Sequence, residues 1–277
     1  MHKVAAATGL EGFIGSHFLH KLLEECDHVI SYLRRDRCAL YSKGGLTNFY
    51  DNDDEFIQRY SPTVFYNLAT CYKPHPSFLS DVIDISNSNI SFPLRILSRL
   101  NTSDLHIVNF CSYLQLSETN NANLYNASKD YLKHSLDLVS KQTSHVFLFD
   151  TFGEHDLRDK VVDVFIKNIL NGNSILIPSN EIFINLTHVS DVINSLEEIP
   201  LGESCIHSPF TLSLTDLAKI LMKILDKEVD IIFTADSVCL YSECERLPVN
   251  IFNSANGEII SNQLTRRCNE IRNTKTA

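Results

Sequence analysis

Excess positive charge, long apolar runs and metal-spaced cysteines are all missing from this chain of 277 residues. Lys and Arg number 24 against 34 Asp and Glu, for a formal net charge of −10. That balance argues against a general affinity for nucleic acid or anionic membranes, which needs clustered cations to neutralise phosphate, although a local basic pocket stays open. No stretch approaches about 18–20 uninterrupted apolar residues, and MHKVAAATGL runs into glycine instead of building a signal-peptide core. The expectation is a cytoplasmic protein. The cysteines (Cys26, Cys38, Cys71, Cys111, Cys205, Cys239, Cys244 and Cys268) form no CxxC pair and have no histidines at zinc spacing. Reduced, mostly buried thiols and no metal site are expected. Internal repeats, low-complexity tracts and an obvious linker are also missing. Hydrophobic residues at 44% and charged residues at 21% lie near ordinary globular usage, so global disorder and a fibrous repeat are set aside.

What is present alternates. KVAAATG (3–9), HVISYLRR (28–35), TVFYNLAT (63–70), LHIVNFCS (105–112) and HVFLFDTFG (145–153) read as short β-rich runs. Helical spacing separates them at 16–26, at 80–101, where Pro93 should kink or divide the helix, and at NLYNASKDYLKHSL (123–136). Strands alternating with helices imply an α/β protein with a doubly wound parallel sheet of the Rossmann kind. Residues 1–149 are expected to form the nucleotide-binding domain, with the chain returning to it around 174–198, and 150–277 mainly a smaller substrate-binding lobe. In that lobe 161–172 reads as a helix closed by glycine and 183–199 as strand and helix. Residues 213–227 read as a helix with Ser213 as N-cap and Asp216 at the capping-box position.

ATGLEGFIGSH sets Gly9, Gly12 and Gly15 at GxxGxxG spacing, with Phe13 and Ile14 between, after the first strand and opening the first helix. Glycine there lets backbone approach a diphosphate, whose charge the helix N-terminus favours. An NAD site usually carries an acid at the end of the second strand, about 20 residues on. Here that end reads YLRRDR. Arg34 and Arg35 stand where the acid belongs, and guanidinium groups suit the 2′-phosphate of NADP(H). A solvated basic loop is the plain alternative, and Asp36 could reach a ribose if the strand ends later.

Tyr125 and Lys129 are four apart on one helix face. An ammonium beside a phenol lowers its pKa from ~10 and makes proton transfer accessible. Glycine turn, a strand ending in Ser112, then YxxxK thirteen residues later: this order resembles the extended short-chain dehydrogenase/reductase family of nucleotide-sugar epimerases, dehydratases and reductases. The resemblance covers most of the chain and includes FYNLAT (65–70), Asn89 in NISFPLRIL, FDTFGEHD and LTHVSDVI. It implies Tyr125 as general acid/base, Lys129 as the residue that lowers its pKa and binds the nicotinamide ribose, and Ser112 as hydrogen-bond donor to the substrate oxygen. Asn89 is the fourth member, with Asn87 in its place if the helix register differs. Leu68 and Ala69 would run along the cofactor.

Family 4,6-dehydratases carry Asp-Glu directly after the catalytic serine or threonine, where this chain has Tyr113 and Leu114. YNASKDYLKH, FDTFGEHDLRDK and LTHVSDVINS look most like the 4-keto nucleotide-sugar reductases that make CDP-abequose and CDP-paratose for bacterial surface polysaccharide. The implied reaction is hydride transfer from NADPH to C4 of a CDP-linked 4-keto-3,6-dideoxyhexose. Thr70, Tyr72 and Arg158 are candidate substrate contacts, against capping, packing and a surface ion pair with a nearby Asp. Cys111 reads as filling a strand end, and His188 and Asp191 as structural residues. An NAD-retaining epimerase and a non-catalytic NADP(H)-binding regulator are the alternatives. A homodimer through the YxxxK helix and the one before it is implied, though a core face explains the same apolar stripe.

Overall fold

The computed structural model describes residues 3–33, 37–50, 59–73, 76–100, 104–116, 123–178, 182–234, 247–254 and 259–274. Its first elements are β1 (Val4–Thr8), α1 (Phe13–Glu25), β2 (His28–Leu33), β3 (Arg37–Ser42), β4 (Gly45–Tyr50) and β5 (Val64–Asn67). Then come α2 (Leu79–Ser86), a π turn (Asn87–Ser91), α3 (Phe92–Leu97), β6 (His106–Ser112), α4 (Leu124–Val139) and β7 (Thr143–Leu148). The remainder is β8 (Asp150–Phe152), α5 (Val161–Asn171), β9 (Ile175–Pro178), β10 (Phe183–His188), α6 (Val189–Ser195), β11 (Gly202–Ile206), β12 (Thr211–Ser213), α7 (Leu214–Leu225), β13 (Ile231–Thr234), β14 (Val249–Asn250) and α8 (Ile260–Thr274).

Two compact units result. The first comprises the described residues of Met1–Leu148, Glu198–Cys205 and Arg246–Asn250. Its sheet runs β14-β11-β7-β6-β5-β1-β2-β3-β4. Strands β2, β1, β5, β6 and β7 pair in parallel, as the alternating strands and helices predict. Strand order reverses beside β1, which has β2 on one side and β5 on the other. Such a reversal opens a crevice at the strands' carboxyl ends, where ligands bind. The antiparallel extension β3–β4 was not foreseen in the sequence. Its signal is Gly44-Gly45, both at positive φ, between two β-rich runs. Apolar residues on one sheet face, among them Ala6, Ile30, Phe65 and Ile107, pack with Ile96 and Leu97 of α3 and with Leu132 and Leu136 of α4. The last two are fully buried, each worth roughly 1.5–3 kcal/mol of apolar burial, and they anchor the helix that carries the YxxxK pair.

Pro93 divides the 80–101 helix as expected. Lacking an N–H, it cannot bond back to the carbonyl of residue 89. The turn before it widens to π geometry, and Asn89 is buried there.

The second unit holds a three-stranded sheet, β12-β10-β8, and a two-stranded one, β13-β9. Its core joins α5, α7 and α8 through Ile166, Ile169, Leu217, Leu221 and Leu264. Gly172 closes α5 in the left-handed conformation, and the Ser213 hydroxyl accepts the Asp216 N–H at 3.0 Å to start α7. Of the return expected around 174–198, only Glu198 belongs to the first unit. The strands of that segment are taken up elsewhere, β9 by β13 and β10 by β8 and β12. The return is made at Glu198–Cys205, where β11 joins β7.

Candidate active site

The glycine turn follows β1 directly. Gly9 has φ +76°, and a Cβ on it would lie 2.6 Å from the Ala69 nitrogen. A Cβ on Gly15 would collide with the Gly9 carbonyl. Leu68 and Ala69 are held against this turn, the first by its N–H to the Thr8 carbonyl (3.2 Å) and the second by its N–H to Thr8 Oγ1 (3.2 Å). Helix α1 starts at Phe13 and Ile14 with no side-chain cap on its first turn and no acid within it. A helix N-terminus that has glycine at its N-cap, beside bare glycine backbone, fits a dinucleotide diphosphate. Arg34 and Arg35 lie outside the described residues.

Helix α4 begins with the Asn123 side chain accepting the Tyr125 N–H at 2.8 Å, which spares that end an unpaired donor. Tyr125, Lys129, Leu132 and Leu136 then share its buried face. The hydroxyls of Thr70 and Ser112 lie beside the Tyr125 phenol and favour its ionised form. The Tyr72 ring meets it edge-on, centroids 4.9 Å apart at 90°. Burial pushes the phenol up to about 12, against the pull of its two hydroxyl partners. Lys129 is 3% exposed, and burial lowers it to about 8. Its Nζ donates to the Phe110 carbonyl at 2.9 Å. The pair therefore shares a site, but the ammonium is pinned to β6 backbone, and burial outweighs any lowering of the phenol's pKa.

Ser112 is fixed from two sides. Its N–H donates to Gln115 Oε1 (2.9 Å), and its Oγ accepts the Leu114 N–H (3.3 Å). Gln115 Nε2 in turn donates to Asp130 on α4 at 2.8 Å. Asn89 Oδ1 accepts from the Cys71 N–H (2.6 Å) and the Thr70 hydroxyl (3.4 Å). Its Nδ2 donates to the Cys71 carbonyl (3.1 Å) and Ser128 Oγ (3.0 Å). Asn89 thus ties the loop bearing Thr70 and Tyr72 to α4. Gln115 and Ser128 were missed in the sequence because nothing in their spacing separates them from ordinary surface polars. Buried Cys111 has its thiol pushed up to about 12, which suits an inert strand-end residue.

Arg158 belongs to the second unit. Its fork clasps the Asp156 carboxylate through two bonds of 2.7 Å and reaches the Thr151 carbonyl at 3.0 Å. That is the ion-pair alternative. In the same unit His188 meets Glu154 (2.9 Å), and Asp191 accepts from Gln263 (2.8 Å). Cys239 and Cys244 lie outside the described residues. Among the described residues no His, Cys, Asp and Glu cluster could hold a metal, and no helix is long and apolar enough to cross a membrane.

Residues 6–196 match the model of the NAD dependent epimerase/dehydratase family. The chain belongs to that family. A CDP-abequose synthase of Yersinia pseudotuberculosis is 24% identical over 219 residues, covering 75% of this chain and 76% of that protein. In fold, the chain resembles the UDP-glucuronic acid 4-epimerase of Bacillus cereus in complex with UDP-glucuronic acid and NAD (TM-score 0.74, 18% identity, 98% and 100% coverage). It also resembles the UDP-glucose 4-epimerase of Thermotoga maritima with UDP-glucose (TM-score 0.72, 17% identity, 98% and 99% coverage).

Proposed function

We propose that the protein is an NADPH-dependent reductase of a nucleotide-linked 4-keto-deoxyhexose, converting a CDP-linked 4-keto-3,6-dideoxyhexose to CDP-abequose or CDP-paratose. The observation that carries this reading is Tyr125, a buried phenol beside the hydroxyls of Thr70 and Ser112, its pKa raised by that burial. Such a phenol is protonated at neutral pH, so it is an acid in waiting. A ketone under reduction needs an acid at its oxygen, and an alkoxide is far more basic than a phenolate, so the proton moves downhill. Ser112 donates a hydrogen bond to the same oxygen where negative charge develops.

Bound NADPH supplies the hydride. Lys129, still mostly cationic at neutral pH with its pKa at about 8, stabilises the phenolate left on Tyr125. Asn89 keeps the loop of Thr70 and Tyr72 in place, and the half-exposed Tyr72 ring offers an apolar face to the sugar. Similarity to the CDP-abequose synthase supports a CDP-linked substrate. The arginines at 34 and 35 support NADP(H), and cytoplasmic synthesis of surface polysaccharide is the matching setting. Phe78, Leu79 and Ile83 of the segment at α2, with Tyr131, Leu138 and Val139 of α4, are exposed, which supports a homodimer through these helices.

The test follows NADPH oxidation with CDP-, dTDP-, UDP- and GDP-linked 4-keto sugars. Oxidation with the CDP sugar is the expected result, and none with any sugar removes the reductase. A purified protein that holds NAD tightly and turns over without added reductant would establish an epimerase instead, the activity of the two enzymes whose fold it shares.

A further inference from the structure

Beneath the glycine turn, a row of polar side chains crosses four neighbouring strands. Thr8 of β1, Asn67 of β5, Asn109 of β6 and His145 of β7 are register partners in successive parallel pairs, so their side chains leave the sheet on one face. All four are no more than 1% exposed. The Ala69 N–H donates to Thr8 Oγ1 (3.2 Å), the Thr8 hydroxyl to Asn67 Oδ1 (2.8 Å), and Asn67 Nδ2 to Asn109 Oδ1 (2.9 Å). Asn109 Nδ2 donates to His145 Nδ1 (3.3 Å), and His145 Nε2 to Asp137 Oδ1 on α4 (2.8 Å).

A backbone amide nitrogen can only donate and a carboxylate can only accept, so the two ends set the direction of the whole row. The orientation of both asparagines and the Nε2–H tautomer of His145 follow from that direction. Asn109 has no spare hydrogen, because its other N–H goes to Cys111 Sγ at 3.4 Å. A doubly protonated His145 would aim a donor at Asn109 Nδ2. Reversing Asn109 would then set two amide nitrogens against each other at Asn67, and reversing Asn67 in turn would take the acceptor from the Thr8 hydroxyl, the group that holds the Ala69 amide Gly9 packs against.

We propose that His145 and Asp137 are positioning residues for the dinucleotide, holding the Ala69 amide against the Gly9 turn through Asn109, Asn67 and Thr8 only while His145 is neutral. This rests on the reading of that turn as the dinucleotide site. Neither residue touches the cofactor. The charged and titratable groups around His145 are Asp137 and Lys133 of α4, Glu203 of β11 and, through Asn109, Cys111 of β6. Burial is the main influence and lowers the imidazole pKa, Asp137 opposes it, and Lys133 and Glu203 add smaller effects of opposite sign. Protons and dinucleotide therefore compete, and affinity falls as pH drops through a midpoint below the ordinary histidine value.

The test is calorimetric titration of the full-length protein with NADP(H) and NAD(H) from about pH 8 to about pH 5. His145→Gln offers an oxygen to Asn109 and an N–H to Asp137 and cannot be protonated. Its affinity should match wild type at about pH 8 and stay flat on acidification. His145→Leu strands Asn109 and Asp137 and should bind roughly tenfold more weakly. Asp137→Ala, at a half-exposed position, should move the acid-side midpoint to lower pH, because the carboxylate no longer favours the imidazolium. Melting curves check folding, and the Gln and Ala variants carry the test if His145→Leu does not fold. A His145→Gln protein that keeps the wild-type pH dependence, an unmoved midpoint in Asp137→Ala, or a folded His145→Leu protein of native affinity overturns the inference alone. A wild-type protein that binds no dinucleotide overturns the underlying reading as well.

Discussion

Lys129 destabilises the protein where it stands, and Lys129→Met, similar in length but apolar, should raise stability at neutral pH while removing turnover. Burial takes the amine from 10.5 to about 8, which corresponds to about 3 kcal/mol at ~1.4 kcal/mol per pH unit. Leaving the Phe110 carbonyl without its partner costs about 1 kcal/mol in return, so the net gain is about 2 kcal/mol. The sign has a pH signature. With the folded pKa below the unfolded one, the unfolded chain holds more protons between about pH 8 and pH 10.5, and wild-type stability rises across that window. The methionine protein lacks this rise, so its advantage is largest at neutral pH and shrinks in alkali. Tyr125 acts in the opposite sense above about pH 10, because its folded pKa of about 12 exceeds the ordinary 10.0. That contribution is common to both proteins and largely cancels in their difference. Urea unfolding followed by circular dichroism from about pH 7 to about pH 10 measures the gap. A methionine protein no more stable than wild type at neutral pH, or a gap constant with pH, refutes the reasoning.

Tyr125→Phe should lower kcat by roughly 10²–10⁴ with an unchanged circular dichroism spectrum, and near-native turnover would sink the acid role. Gly9→Ala combines left-handed strain of roughly 1–2 kcal/mol with an overlap on Ala69 backbone. Dinucleotide binding, read by calorimetry, should be lost even where the protein folds, so native affinity there contradicts the assigned turn. Ser213→Ala removes the α7 cap and its bond to Asp216. It should cost about 1 kcal/mol in urea unfolding with kcat and KM unchanged, and a loss of turnover would mean that α7 has more than a structural part.

Features set by neighbours in sequence were legible in advance. The strand, glycine turn and helix at 3–26, the Gly172 and Ser213 helix ends, the break at Pro93, and the shared face of Tyr125 and Lys129 all depend on local backbone preferences or helical spacing. The Arg34 and Arg35 reading concerns residues outside those described. The β3–β4 extension was missed because its strands lack strict alternation, and the return at 198–205 because strand pairing is not written in either partner alone.

The amino-acid sequence by itself determined which elements form and which chemistry-bearing residues lie on one helix face. Tertiary structure decided what those residues meet. Lys129 meets the Phe110 carbonyl, and Asn89 meets the backbone of Cys71 instead of solvent. His145 joins a row whose successive members are 59, 42 and 36 residues apart. The physical reason is that burial and lateral register set both hydrogen-bond partners and proton affinities. They exist only once distant strands have been laid side by side and water has been driven from between them.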